Sequence, residues 1–254
     1  MKFILTSDTH GEHHKISSYL AKTKELYPEI DTIIHAGDGG TYKNPFQNEA
    51  SMRDFLRWYS NTPFTNKLYI PGNHDTSFEK GLKSLVRRDE YPEVTTLLHE
   101  SIELNGLNIF GSPYTPSFYG WAYNVKRSKL DRYWNEIPEN TDILVTHGPP
   151  MGVLDYVSIE GGFLNVGCKA LMNNVERVKP KLHVFGHIHD DILQPNYGSK
   201  VLTGLNTLFL NVSLLDQKYD VKNAPVIVEL EGDEFKIIQN EELSLFFQQH
   251  LTIY

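Results

Sequence analysis

The sequence predicts an α/β fold, because short apolar runs that read as buried strands alternate with helical patterns along the chain. Three early runs, residues 3–6, 32–36 and 67–70, each stop at a cluster of polar residues or glycines, as strands commonly do. In α/β proteins, side chains that follow such strands gather at the carboxyl edge of the sheet, where ligands bind. The same observations therefore predict a fold class and the place of a functional site.

The rest of the chain continues the alternation of strands and helices. Helical patterns cover residues 14–26, 48–60 and 164–178, and a further helix is expected between residues 75 and 100. Later strands are predicted at residues 100–104, 107–110, 142–146, 182–185, 208–212, 225–230 and 234–238. Residues 111–121 contain two prolines and four aromatic residues without a regular period, which indicates a structured loop.

Size and composition are those of a soluble globular protein of 254 residues, of which 40% are hydrophobic and 22% charged. The net charge of −8 argues against a surface that holds long nucleic acid. A single cysteine, Cys168, permits no internal disulfide, and no run approaches the ~18 apolar residues of a membrane helix. We therefore expect one domain over residues 1–254, in the cytoplasm and without a membrane partner. The sequence carries no signal for its oligomeric state.

Side chains that can bind metal ions or transfer protons follow five of the predicted strands: Asp8 and His10, Asp38, Asn73 and His74, His147, and His187 and His189. Each has a simpler explanation on its own, as a helix N-cap, a tight turn, or a surface or packing histidine. Those explanations do not predict that all five groups coincide with strand ends. Oxygen and imidazole donors without cysteine suit manganese, iron, zinc or magnesium rather than a structural zinc site.

The order and spacing of these side chains resemble those of the calcineurin-like binuclear metallophosphoesterases. The shared pattern runs Asp8-x-His10, Gly37-Asp38, Gly72-Asn73-His74-Asp75, His147 and Gly186-His187-x-His189. The chain further resembles the MPPED-type branch, the brain metallophosphoesterase-like proteins, at residues 111–118, 146–150, 175–180, 182–189 and 211–213. The resemblance extends over residues 3–230, with one departure. Gly39 and Gly40 follow Asp38, close to where many superfamily members have an Asp or Arg.

The resemblance implies a four-layer α/β/β/α sandwich of the metallophosphoesterase type, with mixed sheets and two divalent metal ions at its mouth. The implied ligands are Asp8, His10 and His189 for the first ion, Asn73, His147 and His187 for the second, and Asp38 as the bridge between them. Manganese is the first choice for both ions, and iron, zinc and magnesium are the alternatives. A hydroxide between the ions would attack phosphorus in line with the leaving oxygen.

The resemblance also implies roles for residues that bind neither ion. His74 would donate a proton to the leaving oxygen, and Asp75 is a candidate for orienting its ring. Candidates for contacting the substrate are Asn73, His74, Tyr114, Phe118 and Trp121. Tyr119 belongs to the same aromatic loop, whose rings would suit stacking on a nucleobase or, equally, would cap the edge of a core.

We expect a metal-dependent phosphodiesterase that hydrolyses a small nucleotide-like phosphodiester, cyclic phosphodiesters included. A nuclease, a phosphomonoesterase and a protein phosphatase are alternatives within the same chemistry. The acidic balance weighs against a nuclease, and nothing in the sequence marks a docking groove for a protein substrate. A nucleotide-binding sensor with low turnover is the alternative from another class. The set of metal ligands is complete, and His74 is present as a proton donor that a pure binding protein does not need. The sequence therefore favours an enzyme over a sensor.

Overall fold

The computed structural model describes residues 1–191 and 195–251, and its core is built from two six-stranded mixed sheets. The strands in chain order are β1 (Lys2–Thr6), β2 (Thr32–His35), β3 (Asn66–Tyr69), β4 (Thr95–Thr96), β5 (Glu100–Leu104), β6 (Leu107–Ser112), β7 (Thr115–Pro116), β8 (Asn124–Val125), β9 (Ile143–Thr146), β10 (Tyr156–Ile159), β11 (Gly162–Asn165), β12 (Leu182–Phe185), β13 (Gly198–Val201), β14 (Leu208–Asn211), β15 (Val226–Glu231) and β16 (Glu234–Ile238). The helices are α1 (Ser17–Leu26), α2 (Pro45–Ser60), α3 (Arg127–Trp134), α4 (Lys169–Val178) and α5 (Glu241–Leu251). Within the described residues, no helix is long and apolar enough to cross a lipid bilayer.

Parallel strands form the centre of both sheets. The first sheet has the order β16-β15-β1-β2-β3-β4, in which β1 to β4 are parallel and β15 and β16 are antiparallel additions. The second has the order β13-β14-β12-β9-β6-β5, in which the four inner strands are parallel and the two edge strands antiparallel. Parallel strands end at the same edge of a sheet, so each sheet has one edge rich in carboxyl-terminal loops.

Burial along single strands shows how the layers are stacked. In β1, Phe3 and Leu5 lie in the core between the two sheets, whereas Ile4 lies in the core beneath α1, α2 and α5. In β12, Val184 lies between the sheets and Phe185 lies in the core beneath α3 and α4. Successive strand residues point to opposite faces, so these strands are buried on both sides. The layers are α/β/β/α, which confirms the predicted four-layer architecture and the mixed sheets.

The helix predicted between residues 75 and 100 is wrong. This segment contains turns, the 3₁₀ helix Arg88–Glu90 and β4. The carbonyl of Thr76 accepts the backbone N–H groups of both Leu82 and Lys83, at 3.0 and 3.1 Å, a pattern that closes a loop and cannot continue as a helix. The segment packs as a loop against α2, to which Arg53 connects it by donating to the carbonyl of Leu85.

The helix predicted over residues 164–178 begins later than expected, at Lys169. Residues before it form β11, which pairs with β10 in an antiparallel hairpin. The buried carboxylate of Asp155 accepts the backbone N–H groups of Gly152 and Gly167, and this anchors both ends of the segment outside a helix. The hairpin, α3, α5 and the strands β4, β7, β8 and β13 were not predicted. The strands that were predicted agree with the structure to within two residues at their ends.

Candidate metal centre

Five parallel strands from the two sheets deliver their carboxyl ends to one shared cleft. In the first sheet these are β1, β2 and β3, and in the second β9 and β12. The loops that follow them bring predicted site residues into three overlapping groups, Asp8 with His10 and His189, His10 with Asp38 and His74, and Asp38 with His147 and His187. Within each group the candidate ligand atoms lie within 4.8 Å of one another. The side chains predicted from strand ends therefore converge in space.

The first group surrounds the carboxylate of Asp8. Its Oδ1 lies 3.4 Å from Nε2 of His189 and 3.9 Å from Nε2 of His10. Ligands that bind one metal ion at about 2.0–2.2 Å are separated from one another by roughly 3–4 Å. The three side chains are thus spaced as ligands of a single ion.

The third group, that of Asp38, His147 and His187, surrounds Nε2 of His147, which lies 2.9 Å from Oδ1 of Asn73 and 3.3 Å from Oδ2 of Asp38. The ring of His187 lies beside that of His147, with centroids 4.8 Å apart. Oδ2 of Asp38 is also 3.5 Å from Nε2 of His10 in the first group. Asp38 therefore touches candidate ligands on both sides, as a carboxylate shared between two ions must.

Backbone carbonyls set the direction of two of the imidazole rings. Nδ1 of His147 lies 2.9 Å from the carbonyl oxygen of Ala36, and Nδ1 of His189 lies 3.1 Å from that of Asp216. A carbonyl only accepts, so Nδ1 carries a proton in both rings and Nε2 is the nitrogen that faces the site. A metal ion would bind at Nε2 in exchange for any proton held there.

Two positions of the motifs, Gly186 and Gly72, require glycine because the carboxylates of Asp8 and Asp38 lie directly beside them. A Cβ added to Gly186 would lie 2.0 Å from Oδ2 of Asp8, and one added to Gly72 would lie 2.2 Å from Oδ1 of Asp38. Real Cβ atoms do not approach other atoms so closely. Glycine at these positions lets each carboxylate reach the neighbouring strand end.

Four of the candidate ligands have strained backbone conformations. Asp8, His10, Asp38 and His187 have φ values of +53°, +41°, +59° and +69°, in the left-handed region that L-residues seldom occupy. Hydrogen bonds hold this conformation, since the backbone N–H of Asp8 donates to the carbonyl of Gly37 and that of His10 to the carbonyl of Asp38. The fold thus holds these four residues in costly conformations at the site.

The electrostatics of the pocket suit divalent cations. Asp8 and Asp38 are buried, and the ion-pairing distances described for them are to histidines. Burial lowers the pKa of both His10 and His187 to about 3, so these imidazoles are neutral near pH 7. Neither ring nitrogen of His10 has a hydrogen-bond partner within the described residues. These buried carboxylates and neutral imidazoles, with the ring of His10 lacking a partner, fit the donor set of a metal centre.

His74 stands at the open side of this centre and is oriented by other residues than predicted. Its Nδ1 lies 3.1 Å from the carbonyl oxygen of Thr41, which can only accept, so Nδ1 carries a proton. The ring stacks on Trp121 with centroids 3.9 Å apart. Its backbone N–H donates to Oδ1 of Asp38 at 2.7 Å. Thr41 and Trp121 therefore determine where the free Nε2 points.

Asp75, the predicted candidate for orienting His74, is fully buried and directed at the backbone instead. Its carboxylate accepts four hydrogen bonds, from the N–H groups of Asp38, Gly40 and Gly72 and from the hydroxyl of Tyr69. Burial and the nearby charge of Asp38 raise the pKa of Asp75 to about 6. Asp75 thus joins the loops after β2 and β3. Its effect on His74 is indirect, through the conformation of these two loops.

The predicted substrate-binding aromatics separate into two sets. Trp121 covers one face of His74, and Phe118 is an exposed ring on the same loop that packs on Tyr119. Tyr114 instead packs against Tyr133 of α3, with centroids 4.4 Å apart, and against the core beneath α3 and α4. Its role in substrate binding stays a prediction that these contacts do not favour.

Tyr219 is an aromatic wall of the site that the sequence did not reveal. Its ring lies edge-on to His10 and His189, with centroids 4.9 and 5.1 Å away, and it is about half exposed. It follows β14 in a loop without a motif, and its φ of +65° turns it toward the cleft. Only the tertiary fold brings this residue within reach of side chains more than 200 positions earlier in the sequence.

Buried polar residues that support the site were also missed. The side chain of Asn48 on α2 donates to the carbonyl of His74 at 2.9 Å, and that of Asn211 donates to the carbonyl of Ile188 at 2.9 Å. Nδ1 of His35 accepts the backbone N–H of Gly37 at 3.2 Å. Each fixes a loop that carries candidate ligands. The hydrogen bond to Ile188 explains why an asparagine, Asn211, is buried at the end of a strand.

Comparisons with known proteins agree with this geometry. The family model described as calcineurin-like phosphoesterase matches residues 1–191. The human protein named metallophosphoesterase domain-containing protein 1 is 35% identical, over 90% of this chain and 71% of its own length, which confirms the predicted resemblance to the MPPED-type branch. A 3',5'-cyclic-nucleotide phosphodiesterase, alr5338 of Nostoc, is 24% identical over 76% of this chain and 69% of its own.

Solved structures of low sequence identity share the fold. TT1561 of Thermus thermophilus superposes with a TM-score of 0.61 at 12% identity, over 94% of this chain and 98% of its own. A putative 5'-nucleotidase from Staphylococcus aureus gives a TM-score of 0.52 at 13% identity, over 98% of this chain and 57% of its own. With the family match over three quarters of the sequence, the conclusion is direct. The chain belongs to the calcineurin-like phosphoesterase family, whose members hydrolyse phosphoesters with a dinuclear centre of divalent metal ions.

Proposed function

We propose that the chain is a metal-dependent phosphodiesterase that acts on a small nucleotide-like substrate, with cyclic phosphodiesters in its range. The observation that carries this proposal is the position of Asp38. Its Oδ2 lies between His10 of one ligand group and His147 of the other, and its Oδ1 accepts the backbone N–H of His74. One carboxylate thus connects two candidate metal sites and a candidate proton donor.

We assign the candidate ligands as the family resemblance suggests, with Asp8, His10 and His189 at the first ion, Asn73, His147 and His187 at the second, and Asp38 between them. Manganese is our first choice for both ions. Bound divalent cations would supply Lewis-acid polarisation of the phosphoryl oxygens and a water of lowered pKa as the source of the nucleophile. The protein contributes the spacing of these ions, because its ligands lie on five rigid strand ends.

His74 is proposed as the proton donor for the leaving oxygen. Since Nδ1 donates to the carbonyl of Thr41, the other ring nitrogen, Nε2, is the one available to the substrate. When the ring is protonated, Nε2 donates its proton as the bond between phosphorus and the leaving oxygen breaks. Stacking on Trp121 keeps the ring plane fixed during this transfer. Proton donation of this kind contributes ~10²–10⁴-fold to a rate.

Charge favours a phosphodiester over a phosphomonoester. In the described part of the chain, the ion pairs of Asp8 and Asp38 are formed with histidines, and none with lysine or arginine. Two divalent cations on two carboxylates would leave a net charge of +2, which a bound hydroxide would lower to +1, in spite of the −8 carried by the whole chain. Such a site suits the single negative charge of a diester better than the double charge of a monoester.

Aromatic side chains beside the centre favour a nucleotide-like group. Trp121 and Tyr219 both lie beside His74, with ring centroids 3.9 and 6.5 Å from it, and both rings are partly exposed. A base that stacks on such a ring gains binding energy without a specific hydrogen-bonding pattern. The cyclic-nucleotide relative from Nostoc supports the same substrate class. A cytoplasmic location is part of the proposal, supported by the single, buried cysteine Cys168.

The test is turnover of defined phosphoesters by chelator-treated protein to which Mn²⁺ is added back. We expect hydrolysis of bis(p-nitrophenyl) phosphate and of at least one 2',3'- or 3',5'-cyclic nucleotide, with slower hydrolysis of p-nitrophenyl phosphate. Asp38→Asn is expected to abolish turnover, and His250→Asn on α5 is the matched control. Tight nucleotide binding without turnover would indicate a sensor, and faster monoester hydrolysis would indicate a phosphomonoesterase.

A further inference from the structure

A further group of side chains that could bind a metal ion lies outside the candidate dinuclear centre. His13 and His14 are in the 3₁₀ helix His13–Ile16, and Asp54 faces them from α2. Their ligand atoms lie within 4.8 Å of one another, and we refer to these three residues as the peripheral cluster. Nothing in the proposed phosphodiesterase chemistry uses them.

The distances in the peripheral cluster match the edges of a metal tetrahedron. Oδ2 of Asp54 lies 3.2 Å from Nε2 of His13 and 3.3 Å from Nε2 of His14, and the second contact also meets the geometry of a hydrogen bond, which a bound ion would replace. For an ion that binds nitrogen and oxygen at 2.0–2.2 Å with tetrahedral angles, neighbouring ligand atoms are about 3.3–3.5 Å apart. Both separations are close to that value. Two histidines and one carboxylate are also a usual ligand set for zinc.

The ring of His13 is a buried polar group without a satisfied nitrogen. Its side chain has no exposed surface, and neither Nδ1 nor Nε2 has a hydrogen-bond partner among the described residues. The contact from Nε2 to Asp54 has a hydrogen-bonding distance but not the direction of a hydrogen bond. This geometry is expected of two side chains that bind the same ion, because the lone pair of each is directed at the ion and not at the other side chain. A bound cation would satisfy the nitrogen.

Packing holds the His13 ring in position to bind. The ring lies against Phe55 and Trp58 of α2, with centroids 5.7 and 4.9 Å away. Burial lowers the pKa of His13 to about 4, so the imidazole is neutral near pH 7 and needs to lose no proton before it binds an ion. One ligand of the peripheral cluster is therefore preorganised.

The remaining coordination position faces solvent. The side chain of His14 is more than half exposed and that of Asp54 about half. Both line a surface cleft of about 500 Å³ beside Trp58. Water can therefore complete the coordination as a fourth ligand. The second carboxylate oxygen of Asp54 is 3.9 Å from Arg57, a distance at which an exposed ion pair contributes little and competes weakly.

We propose that His13, His14 and Asp54 bind one further transition-metal ion of the zinc class, separate from the two ions of the dinuclear centre. Two imidazoles and one carboxylate favour zinc over magnesium or calcium, which prefer oxygen ligands alone. The ion joins the start of the helical segment after His10 to α2, and it therefore links the loop that carries the first ligand group to the outer helix layer.

The test counts zinc ions in the full chain. Wild-type protein is freed of metal with a chelator, loaded with Zn²⁺, and passed through a desalting column, and zinc per chain is measured by elemental analysis. We expect one ion fewer in His14→Gln than in wild type, and an affinity for that ion lowered at least about ten-fold. His14 is exposed, so this substitution leaves the core intact. His250→Gln is the matched control for loss of a helix-surface histidine.

A second variant separates this ion from the dinuclear centre. In Asp38→Asn, where the dinuclear centre is impaired, we expect Zn²⁺ still to raise the melting temperature, and His14→Gln added to it to remove that rise. Equal zinc content and equal melting temperatures with and without His14 would overturn the proposal. Zinc that binds there only at millimolar concentration would mean an adventitious ion only, and would overturn it as well.

Discussion

The backbone N–H of His187 donates to both carboxylate oxygens of Asp8, at 3.1 and 3.0 Å, across 179 residues of sequence. This interaction connects the loop after β12 in the second sheet to the loop after β1 in the first. A hydrogen bond to a charged, buried acceptor contributes about 1.5–3 kcal/mol. The two sheets are thus joined at the candidate metal centre itself, so that the geometry of the site depends on how the sheets pack.

Gly186→Ala should disrupt this junction. A Cβ at residue 186 would lie 2.0 Å from Oδ2 of Asp8, so the carboxylate must move away from its position beside His189. We expect Mn²⁺ affinity, measured by titration calorimetry, to fall at least about ten-fold. Gly106→Ala lies in the turn between β5 and β6, where the φ of +81° strains an alanine but a Cβ meets nothing within 4 Å, so it should lower stability and keep wild-type affinity. Unchanged affinity in Gly186→Ala would contradict the assigned role of Asp8.

His74→Ala should separate proton donation from metal binding. We expect both ions to be retained and kcat to fall by ~10²–10⁴-fold for a diester with an alkoxide leaving group. The loss should be much smaller for a p-nitrophenolate leaving group, because that weak base departs without a proton. Full turnover of the alkoxide substrate by a variant that keeps both metals would remove His74 from this role.

Asp75→Asn tests a positioning role. The amide of asparagine replaces one acceptor oxygen by a donor, so some of the four hydrogen bonds to Asp75 are lost. We expect the free energy of unfolding to fall by about 1–3 kcal/mol and metal affinity to fall with it, while the pH–rate profile keeps its shape. A stable, metal-replete variant whose acid limb in that profile had disappeared would instead assign proton transfer to Asp75.

Tyr219→Leu tests the aromatic wall. Thymidine 5'-p-nitrophenyl phosphate and methyl p-nitrophenyl phosphate share a leaving group and differ in the presence of a base. Loss of a stacking ring worth about 1 kcal/mol should raise KM about five-fold for the first and leave the second unchanged. Tyr27→Leu, a partly buried ring packed against the core beneath the helices of the first sheet, is the matched control and should leave both KM values unchanged. An equal change for both substrates would exclude base stacking on Tyr219.

Strand ends were predictable because their signal is local. Short apolar runs followed at once by Asp8, Asp38 or His187 identify both the strand and the side chain that it delivers. The four-layer architecture came from the resemblance, and the two sheets confirm it. The ligand assignments stay predictions that the convergence of the side chains supports.

What the sequence did not predict depends on contacts between distant segments. Tyr219 reaches the site from a loop without a motif, and Asn48 and Asn211 support it from inside regular elements, where asparagine carries no local signal. The partner that orients His74 is the backbone carbonyl of Thr41. Every residue has a backbone carbonyl, so the sequence alone does not show which one His74 contacts. Asp75, the candidate for orienting His74, accepts hydrogen bonds from backbone N–H groups of the loops after β2 and β3, and these contacts also depend on the tertiary fold.

The central claim is that two divalent ions are held at this cleft and share the carboxylate of Asp38. The most direct measurement is X-ray diffraction from crystals grown with Mn²⁺, with data collected on both sides of the manganese absorption edge. We predict two anomalous peaks, one among Asp8, His10 and His189 and one among Asn73, His147 and His187, each within about 2.0–2.5 Å of an oxygen of Asp38. An empty cleft, or peaks that Asp38 does not touch, would contradict the account.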